Sequence, residues 1–457
     1  MKKNCFSLIL ASFAALLSGC FEYKHIFWSP SGETAAVIGQ KERLYFCDAS
    51  GNLKGPLLEN VWSVAWISDG ECLVTWVEDF SDWNLLENAL SPEERHLVKI
   101  RAEVRLKEMS DGKRPDWTRE LADAAAKLFL RATQSEHLEK ILPAADWEQI
   151  KTETVSFGFL QKYRWDGTVL SPGPVVARQH DGFFWETRIA PNKQAALVSI
   201  YQEGKDKSLQ VALVSIGKPV PMNVLAEDGS IGVDWAPDGN SVAYIRALGK
   251  PEKSDEIQMG ALTIREVRYT PEAITVAPKA KELAALLFAA ESKVRWLTNG
   301  LILFSSLEVQ LPSTGRDMPQ REQLFWVRDE NSSVSRAIPA RYREELPQSL
   351  MSFEPSPDGR YISFARDDGA VGVFDFQSEN LQMIQPAGEQ PEEKRFSSVP
   401  VWRGPGELCF VQRYGNSNSP PGRIGELVLH NLNSGQRRIL SKDWPEESIG
   451  FLKRKQK

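Results

Sequence analysis

A short turn motif recurs along this chain and limits the folds that the chain can adopt. Its two clearest copies are "DWAPDGNSVAYI" and "FEPSPDGRYISFA". In each copy an aromatic residue precedes a Pro-Asp-Gly turn, and a strand-like apolar run follows it. Pro presets the first corner, Asp bonds to nearby backbone, and Gly takes the left-handed conformation that comes next. We therefore interpret the residues of these two turns as structural rather than catalytic: Pro237, Asp238, Gly239, Pro357, Asp358 and Gly359.

Five weaker copies bring the number of turns to seven. Their turn residues are Gly32, Gly70, Lys193, Gly300 and Gly406. Apart from one interval of 123 residues, successive turns lie 38 to 61 residues apart, near or above the ~40–45 residues of a four-stranded propeller blade. The pattern predicts an all-β fold: one β-propeller of about seven four-stranded blades, with six or eight also compatible. Most copies have a large aromatic ring just before the turn, which we expect between adjacent blades: Trp28, Trp66, Trp235, Trp296 and Trp402.

This motif resembles the TolB-type, WD-like β-propeller repeat. The resemblance covers nearly all of residues 27–440 outside one insertion, with two close copies and five degenerate ones. TolB proper carries an additional α/β domain and is soluble, and we expect neither property of this chain. The resemblance therefore implies the fold and leaves the partners of TolB unassigned.

The long interval contains a block with helical periodicity, residues 84–150. Ser91, Pro92 and Glu94 form a capping pattern, and Leu97, Ile100 and Val104 then share one helical face. A second helix follows through "TRELADAAAKLFLRA", and a third short piece surrounds Leu138 to Leu142. The block is predicted to be a helical insertion in the second blade. It could be a cap on the propeller or an element that docks a partner, because both need amphipathic helices.

The N-terminal segment has the pattern of a bacterial lipoprotein signal. Lys2 and Lys3 precede a short apolar run that ends in "LLSGC", too short to span a bilayer. The ending resembles the lipobox, which implies cleavage after residue 19 and lipid attachment at Cys20. We expect residues 1–19 to be a signal peptide, residues 20–457 to form the propeller, and the mature protein to be lipid-anchored. Because Phe21 rather than Asp follows Cys20, resemblance to enterobacterial lipoproteins favours the periplasmic side of the outer membrane.

Catalytic and metal-binding motifs are lacking in the sequence. Its five His form no metal-ligand spacing, and no G-x-S-x-G elbow or phosphate-binding loop is present. We predict no metal and no cofactor, and the net charge of −6 argues against nucleic acid as a partner. Cys47, Cys72 and Cys409 lie in apolar runs, where buried thiols are expected, although a Cys47–Cys72 bridge is possible. His180 and Asp181, in a loop between repeats, are the weak candidates for ligand binding.

These observations predict a non-catalytic binding or scaffold protein of a bacterial envelope. Its affinity would come from the propeller face and the helical insertion, and its partner would be another envelope protein. The alternatives are a propeller enzyme of the glycosidase or lyase type, or a binder of a small sugar or peptide, with a site in the central pocket. The enzyme alternative requires two or more carboxylates that converge there.

Overall fold

In the computed structural model, seven antiparallel sheets are arranged as blades around a ring. The structure describes residues 26–444 except for 40–41, 203–207, 218–221, 227–230, 250–257, 271–272, 289–291, 309–320, 330, 347–352, 367–369, 385–395, 398–399 and 414–424. Each blade takes its strands in chain order, from the inner to the outer position. The predicted fold class, a seven-bladed β-propeller with a helical insertion, is confirmed.

The first four blades come from the N-terminal two thirds of the chain. Blade 1 consists of β1 (Ile26–Trp28), β2 (Thr34–Gly39), β3 (Arg43–Asp48) and β4 (Leu53–Leu58). Blade 2 consists of β5 (Val61–Ser68), β6 (Glu71–Phe80), β7 (Val155–Trp165) and β8 (Leu170–His180). Blade 3 consists of β9 (Gly182–Ile189), β10 (Ala195–Gln202), β11 (Ser208–Ser215) and β12 (Asn223–Ala226). Blade 4 consists of β13 (Ile231–Trp235), β14 (Ser241–Ala247), β15 (Gln258–Tyr269), β16 (Ile274–Val276) and β17 (Lys281–Phe288), of which β16 and β17 both pair with β15.

The last three blades complete the ring. Blade 5 consists of β18 (Val294–Trp296), β19 (Ile302–Glu308), β20 (Arg321–Val327) and β21 (Ser335–Arg336), and a 3-10 helix (Ala340–Glu345) follows it. Blade 6 consists of β22 (Phe353–Pro355), β23 (Tyr361–Ala365), β24 (Val371–Asp375) and β25 (Asn380–Ile384). Blade 7 consists of β26 (Phe396–Ser397), β27 (Val401–Gly404), β28 (Glu407–Arg413), β29 (Gly425–Asn431) and β30 (Arg437–Trp444).

Six of the seven predicted turns join the first two strands of a blade, and the seventh, at Gly406, joins β27 to β28. The amide of Gly239 donates to the carbonyl of Ala236 at 2.8 Å, and the amide of Gly359 donates to that of Ser356 at 2.8 Å. Six of the seven turn residues have a positive φ, including Lys193 at 62°, so a non-glycine residue accepts the left-handed conformation there. Gly70 is the exception, since it does not have a positive φ, and the pairing of β5 with β6 is irregular between Trp66 and Ser68, just before this turn.

Tryptophans join the inner strands of neighbouring blades. The indole Nε1 of Trp66 donates to the carbonyl of Phe27 at 2.7 Å, which links blade 2 to blade 1. Trp235 and Trp402 make the same contact with the preceding blade, to the carbonyls of Arg188 and Glu354, both at 2.9 Å. A large ring with one polar atom thus fills the gap between blades and also satisfies a backbone acceptor.

The ring closes by packing between its first and last blades. Val37 and Cys47 of blade 1 share a buried cluster with Val401 and Cys409 of blade 7. In the described part of the chain the two blades exchange no strand, since every strand of blade 7 comes from residues 396–444. Closure therefore depends on side-chain packing and on contacts such as the one from Arg403 Nε to the carbonyl of Gly32, 2.9 Å.

The helical insertion lies between β6 and β7. It consists of α1 (Trp83–Ala89), α2 (Pro92–Ser110), α3 (Leu121–Ile141) and α4 (Ala144–Lys151). The capping box at Ser91 and Glu94 is present, with Pro92 in the first turn. The third piece expected at Leu138 to Leu142 is present, because α3 is two helical pieces joined at a kink at Gln134 (φ −133°, ψ 18°), and the second piece ends at Ile141. The fourth helix begins after Pro143 and was not predicted.

Candidate functional site

Charged residues occupy one recurring position on the inner strands of four consecutive blades. The position lies five residues before each turn residue and immediately before the aromatic position. In blades 3 to 6 its occupants alternate in sign: Arg188, Asp234, Arg295 and Glu354. In blades 7, 1 and 2 the occupants are apolar: Val401, Phe27 and Ala65. The first strands of blades 3 and 5 each contact the first strand of blade 4, and all four charges lie on first strands.

Ion pairs connect these charges between blades. Glu186 Oε1 is 3.1 Å from Arg188 Nε on its own strand and 3.1 Å from Arg295 Nη2 of blade 5. Arg295 Nη2 also lies 3.5 Å from Glu354 Oε1 of blade 6. Asp234 Oδ2 accepts a hydrogen bond from the amide of Trp296 at 2.8 Å. One guanidinium therefore holds two carboxylates that come from different blades, and we call Glu186, Arg188, Asp234, Lys293, Arg295 and Glu354 the inner-strand cluster.

Burial and neighbouring charges shift the pKa values of these groups in different directions. Burial opposes ionisation of Glu186, but Arg295 and Arg188 outweigh it and hold the pKa of Glu186 below its ordinary value. For Asp234, burial is the stronger influence and raises the pKa in spite of the same two arginines. Burial also lowers the pKa of Lys293. The cluster thus contains one carboxyl whose pKa is lowered and one whose pKa is raised, a division that acid–base catalysis uses.

The cluster was missed by the sequence analysis, although a signal for it was present. Aligning the seven copies on their turn residues places the four alternating charges in one column. Each charge alone is unremarkable beside a turn, and the pairing becomes visible only when the ring brings three blades together. The carboxylates that the enzyme alternative requires are present on the inner strands, and both Glu186 and Glu354 are paired with Arg295.

His180 and Asp181 lie beside the insertion. His180 ends β8, and Asp181 (φ 48°) connects it directly to the inner strand of blade 3. Their atoms Nε2 and Oδ1 are 3.4 Å apart. Burial lowers the pKa of His180 and raises the pKa of Asp181, and the neighbouring charges that act on the pair, among them Glu153, belong to the insertion or its immediate surroundings. The structure does not bring this pair into the ion pairs of the inner-strand cluster, and its role in ligand binding stays a prediction.

The insertion is fastened to blade 2 through one continuous apolar cluster. Phe80, Phe157 and Phe159 of the blade pack with Leu86 and Leu128 of the helices. In an antiparallel blade, the loop between the second and third strands lies on the same side as the link from the fourth strand to the next blade. The insertion lies between the second and third strands of blade 2, so it shares a face of the ring with the links between blades.

Polar contacts add to this attachment. Arg131 of α3 donates to the backbone carbonyls of Ser81 and Lys151, at the two ends of the insertion. Lys127 Nζ lies 2.7 Å from Glu153 Oε2, and Arg178 of β8 pairs with Glu94 of α2. The insertion is thus tied to the blade at both of its ends and along α2.

An ion pair fixes α2 against α3. Asp123, fully buried on α3, accepts from Arg105 Nε at 3.0 Å and from Arg105 Nη2 at 3.1 Å. It also accepts from the hydroxyl of Thr118 at 2.6 Å. These hydrogen bonds outweigh burial, and they hold the pKa of Asp123 below its usual range.

One apolar stripe of the insertion is uncovered. The buried face of α2 is formed by Val98, Ala102, Arg105 and Met109. The neighbouring apolar set points outward, with Leu97, Ile100 and Val104 exposed by 51%, 44% and 49%. The insertion carries five of the twelve large apolar side chains that are exposed in the described part of the chain: Leu85, Leu97, Ile100, Val104 and Ile141.

A cavity of 390 Å³ also opens on the insertion. Arg114, Trp117 and Asp146 are among its lining residues, and Arg114 Nη2 and Asp146 Oδ1 form a salt bridge at 2.9 Å. The described residues contain no group of three or more metal ligands. None of the helices described is long and apolar enough to cross a membrane.

The three cysteines within the described ranges are free and buried. Cys47 faces blade 7, whereas Cys72 lies in the cluster between blades 1 and 2. The Cys47–Cys72 bridge considered from the sequence is not formed, because the two side chains lie in different packing layers. Burial raises the pKa of both thiols to about 12. Cys20 and the predicted signal peptide lie outside the described residues.

Comparisons with known proteins give only distant structural similarity. No family model matches the chain, and no curated protein matches it. The chain is similar to a puromycin-hydrolyzing peptidase of Mycobacterium tuberculosis (9% identity, TM-score 0.48), covering 93% of this chain and 54% of the peptidase. It is similar to prolyl oligopeptidase B of Galerina marginata (8% identity, TM-score 0.49), and the match covers 95% of this chain and 53% of that peptidase. It is also similar to the Cps50 (Swd1) β-propeller domain of Myceliophteria thermophila (10% identity, TM-score 0.39), and the match covers 85% of this chain and 93% of that domain. The chain spans about half the length of the two peptidases.

Proposed function

We propose that this protein is a non-catalytic binding module of a bacterial envelope, anchored by lipid at Cys20, whose insertion docks another protein chain. The observation that carries this proposal is the uncovered apolar stripe of Leu97, Ile100 and Val104 on a helix whose other face is firmly packed. Leaving three neighbouring apolar side chains in water has no benefit for the fold alone. The steps of three and four residues between them match the seam that one helix presents to another.

The test replaces the stripe without changing the helix. Leu97→Gln, Ile100→Gln and Val104→Gln are combined, because Gln keeps helix propensity while it removes apolar surface. The matched control changes two exposed valines of the propeller, Val169→Gln and Val175→Gln. Both tagged variants are expressed in the native envelope, crosslinked mildly and purified.

A defined crosslinked species should be lost from the stripe variant and retained in the control. Burial of three half-exposed side chains contributes about 1 kcal/mol each, so we expect affinity to fall about 100-fold. Equal yields from the stripe variant and the wild-type protein, with both folded, would contradict the proposal.

The second candidate is a ligand site or active site at the inner-strand cluster. It is favoured by the carboxylates of Glu186 and Glu354, which Arg295 brings together from different blades, and by the opposite directions in which the pKa values of Glu186 and Asp234 are shifted. A sugar or peptide bound there would raise the melting temperature of the wild-type protein and not that of an Asp234→Asn variant. If no compound raises it, this candidate loses its support.

A further inference from the structure

The uncovered stripe on α2 is longer than its three apolar residues. Continuing the same steps of four and three residues adds Glu93 at the start and Lys107 at the end. Both are exposed, and neither forms a salt bridge among the described residues. The five side chains form one line along about 21 Å of helix. In order they are an acid, three apolar residues and a base.

This order is complementary to itself when it is reversed. If two copies of α2 pack antiparallel with Ile100 at the centre, Ile100 meets its own copy and Leu97 meets Val104 of the other chain. Glu93 then meets Lys107 of the other chain, and the two-fold axis creates this ion pair twice. We propose that the stripe pairs with the stripe of a second copy of this chain, so that the insertion makes a symmetric homodimer. This inference rests on the proposed docking function and names its partner.

A simpler explanation covers part of the pattern. An acid in the first turn and a base in the last turn stabilise any helix through its dipole, and Glu93 and Lys107 satisfy that rule. The dipole, however, does not require both charges to lie on the line of the three uncovered apolar side chains. It also leaves those side chains in water, which dimerisation would correct.

The size of the contact predicts a weak dimer. A single helix pair of this length falls at the low end of protein interfaces, under about 1,200 Å² in total. We therefore expect the dimer at high micromolar concentration in solution. Lipid anchoring, a part of the proposed function, would raise the effective concentration at a membrane.

Charge exchange gives a test that only the antiparallel pairing passes. In Glu93→Lys both ends of the stripe are positive, and in Lys107→Glu both ends are negative, so each variant alone should dimerise about 30-fold more weakly. A mixture of the two variants should recover the affinity, because each positive end then meets a negative end. The double variant Glu93→Lys/Lys107→Glu should recover it as well. Sedimentation velocity at several concentrations measures all four samples.

Cysteine crosslinking detects the same contact even when the dimer is weak. Ile100→Cys, at the two-fold axis, should give a dimer with a short bismaleimide, whereas Ser110→Cys, at the end of the helix, should give little. Wild-type protein supplies the baseline, since Cys47, Cys72 and Cys409 are buried.

The possible failures can be distinguished. Monomers in every sample, or dimers that ignore the charge exchange, would overturn the inference. The proposed function would still stand if the Gln variant loses a crosslinked species whose mass shows a different protein. It would fall together with the inference if no species depends on the stripe.

Discussion

Arg295→Met should lower the free energy of unfolding by about 3 to 5 kcal/mol, because it leaves two enclosed carboxylates without their shared cation. Arg295 is 2% exposed and lies within 3.5 Å of both Glu186 and Glu354. Urea denaturation at pH 7, followed by tryptophan fluorescence, measures the change. Arg114→Met is the control, because Arg114 is 78% exposed in its pair with Asp146 and should contribute less than about 1 kcal/mol.

The loss of unfolding free energy in Arg295→Met should be larger at higher pH. Without Arg295, Glu186 loses the strongest of the cations that hold its pKa down, so its folded-state pKa rises, and a carboxyl with a raised pKa destabilises the fold as pH rises through that range. The difference in unfolding free energy between wild type and Arg295→Met should therefore be smaller at pH 5 than at pH 8. A variant within 1 kcal/mol of wild type at both pH values would show that the cluster does not hold the inner strands together.

Asp123→Asn should destabilise the insertion by about 3 to 5 kcal/mol, because the buried Arg105 then loses its fully buried carboxylate and keeps only that of Glu108, 3.0 Å from its Nη1. Hydrogen exchange of the amides in α2 and α3 measures this change locally, and Asp146→Asn in the exposed pair with Arg114 is the matched control. The folded-state pKa of Asp123 is lowered, so its contribution is present above the unfolded pKa of about 3.9. It is lost as pH falls through the folded pKa.

The difference between wild type and Asp123→Asn should accordingly be constant near neutral pH and shrink below about pH 4. An unchanged exchange rate in α2 and α3 at pH 7 would show that apolar packing alone holds the two helices. A difference that grows toward acid would contradict the assigned direction of the pKa.

The ring of seven blades could be predicted from the sequence because its signal is local. Each turn needs a few residues in a fixed order, and seven copies mark the first hairpin of every blade. Even the degenerate copy with Lys193 in place of Gly takes the left-handed conformation at 62°. Gly70 shows the limit, since it follows Asp69 as in the clear copies of the motif and yet does not have a positive φ.

The outward face of α2 and the inner-strand cluster depend on contacts that a local pattern does not contain. On α2, Leu97, Ile100 and Val104 have the same helical period as the buried set, so periodicity alone cannot decide which face packs. The buried set also includes Arg105, whose guanidinium pairs with Asp123 of α3 as well as with Glu108 of its own helix. Likewise, Arg295 finds its carboxylates on other blades, and their separation in sequence carries no sign of that contact.

A photo-crosslinking residue at Ile100, compared with one at Val169 in the native envelope, tests the central claim most directly. The structure exposes both positions, by 44% and 54%, but only Ile100 lies on the stripe. We predict one defined product from Ile100, with the mass of two copies of this chain, and none from Val169. No product from Ile100, or the same products from both positions, would contradict the claim that the insertion is a docking element.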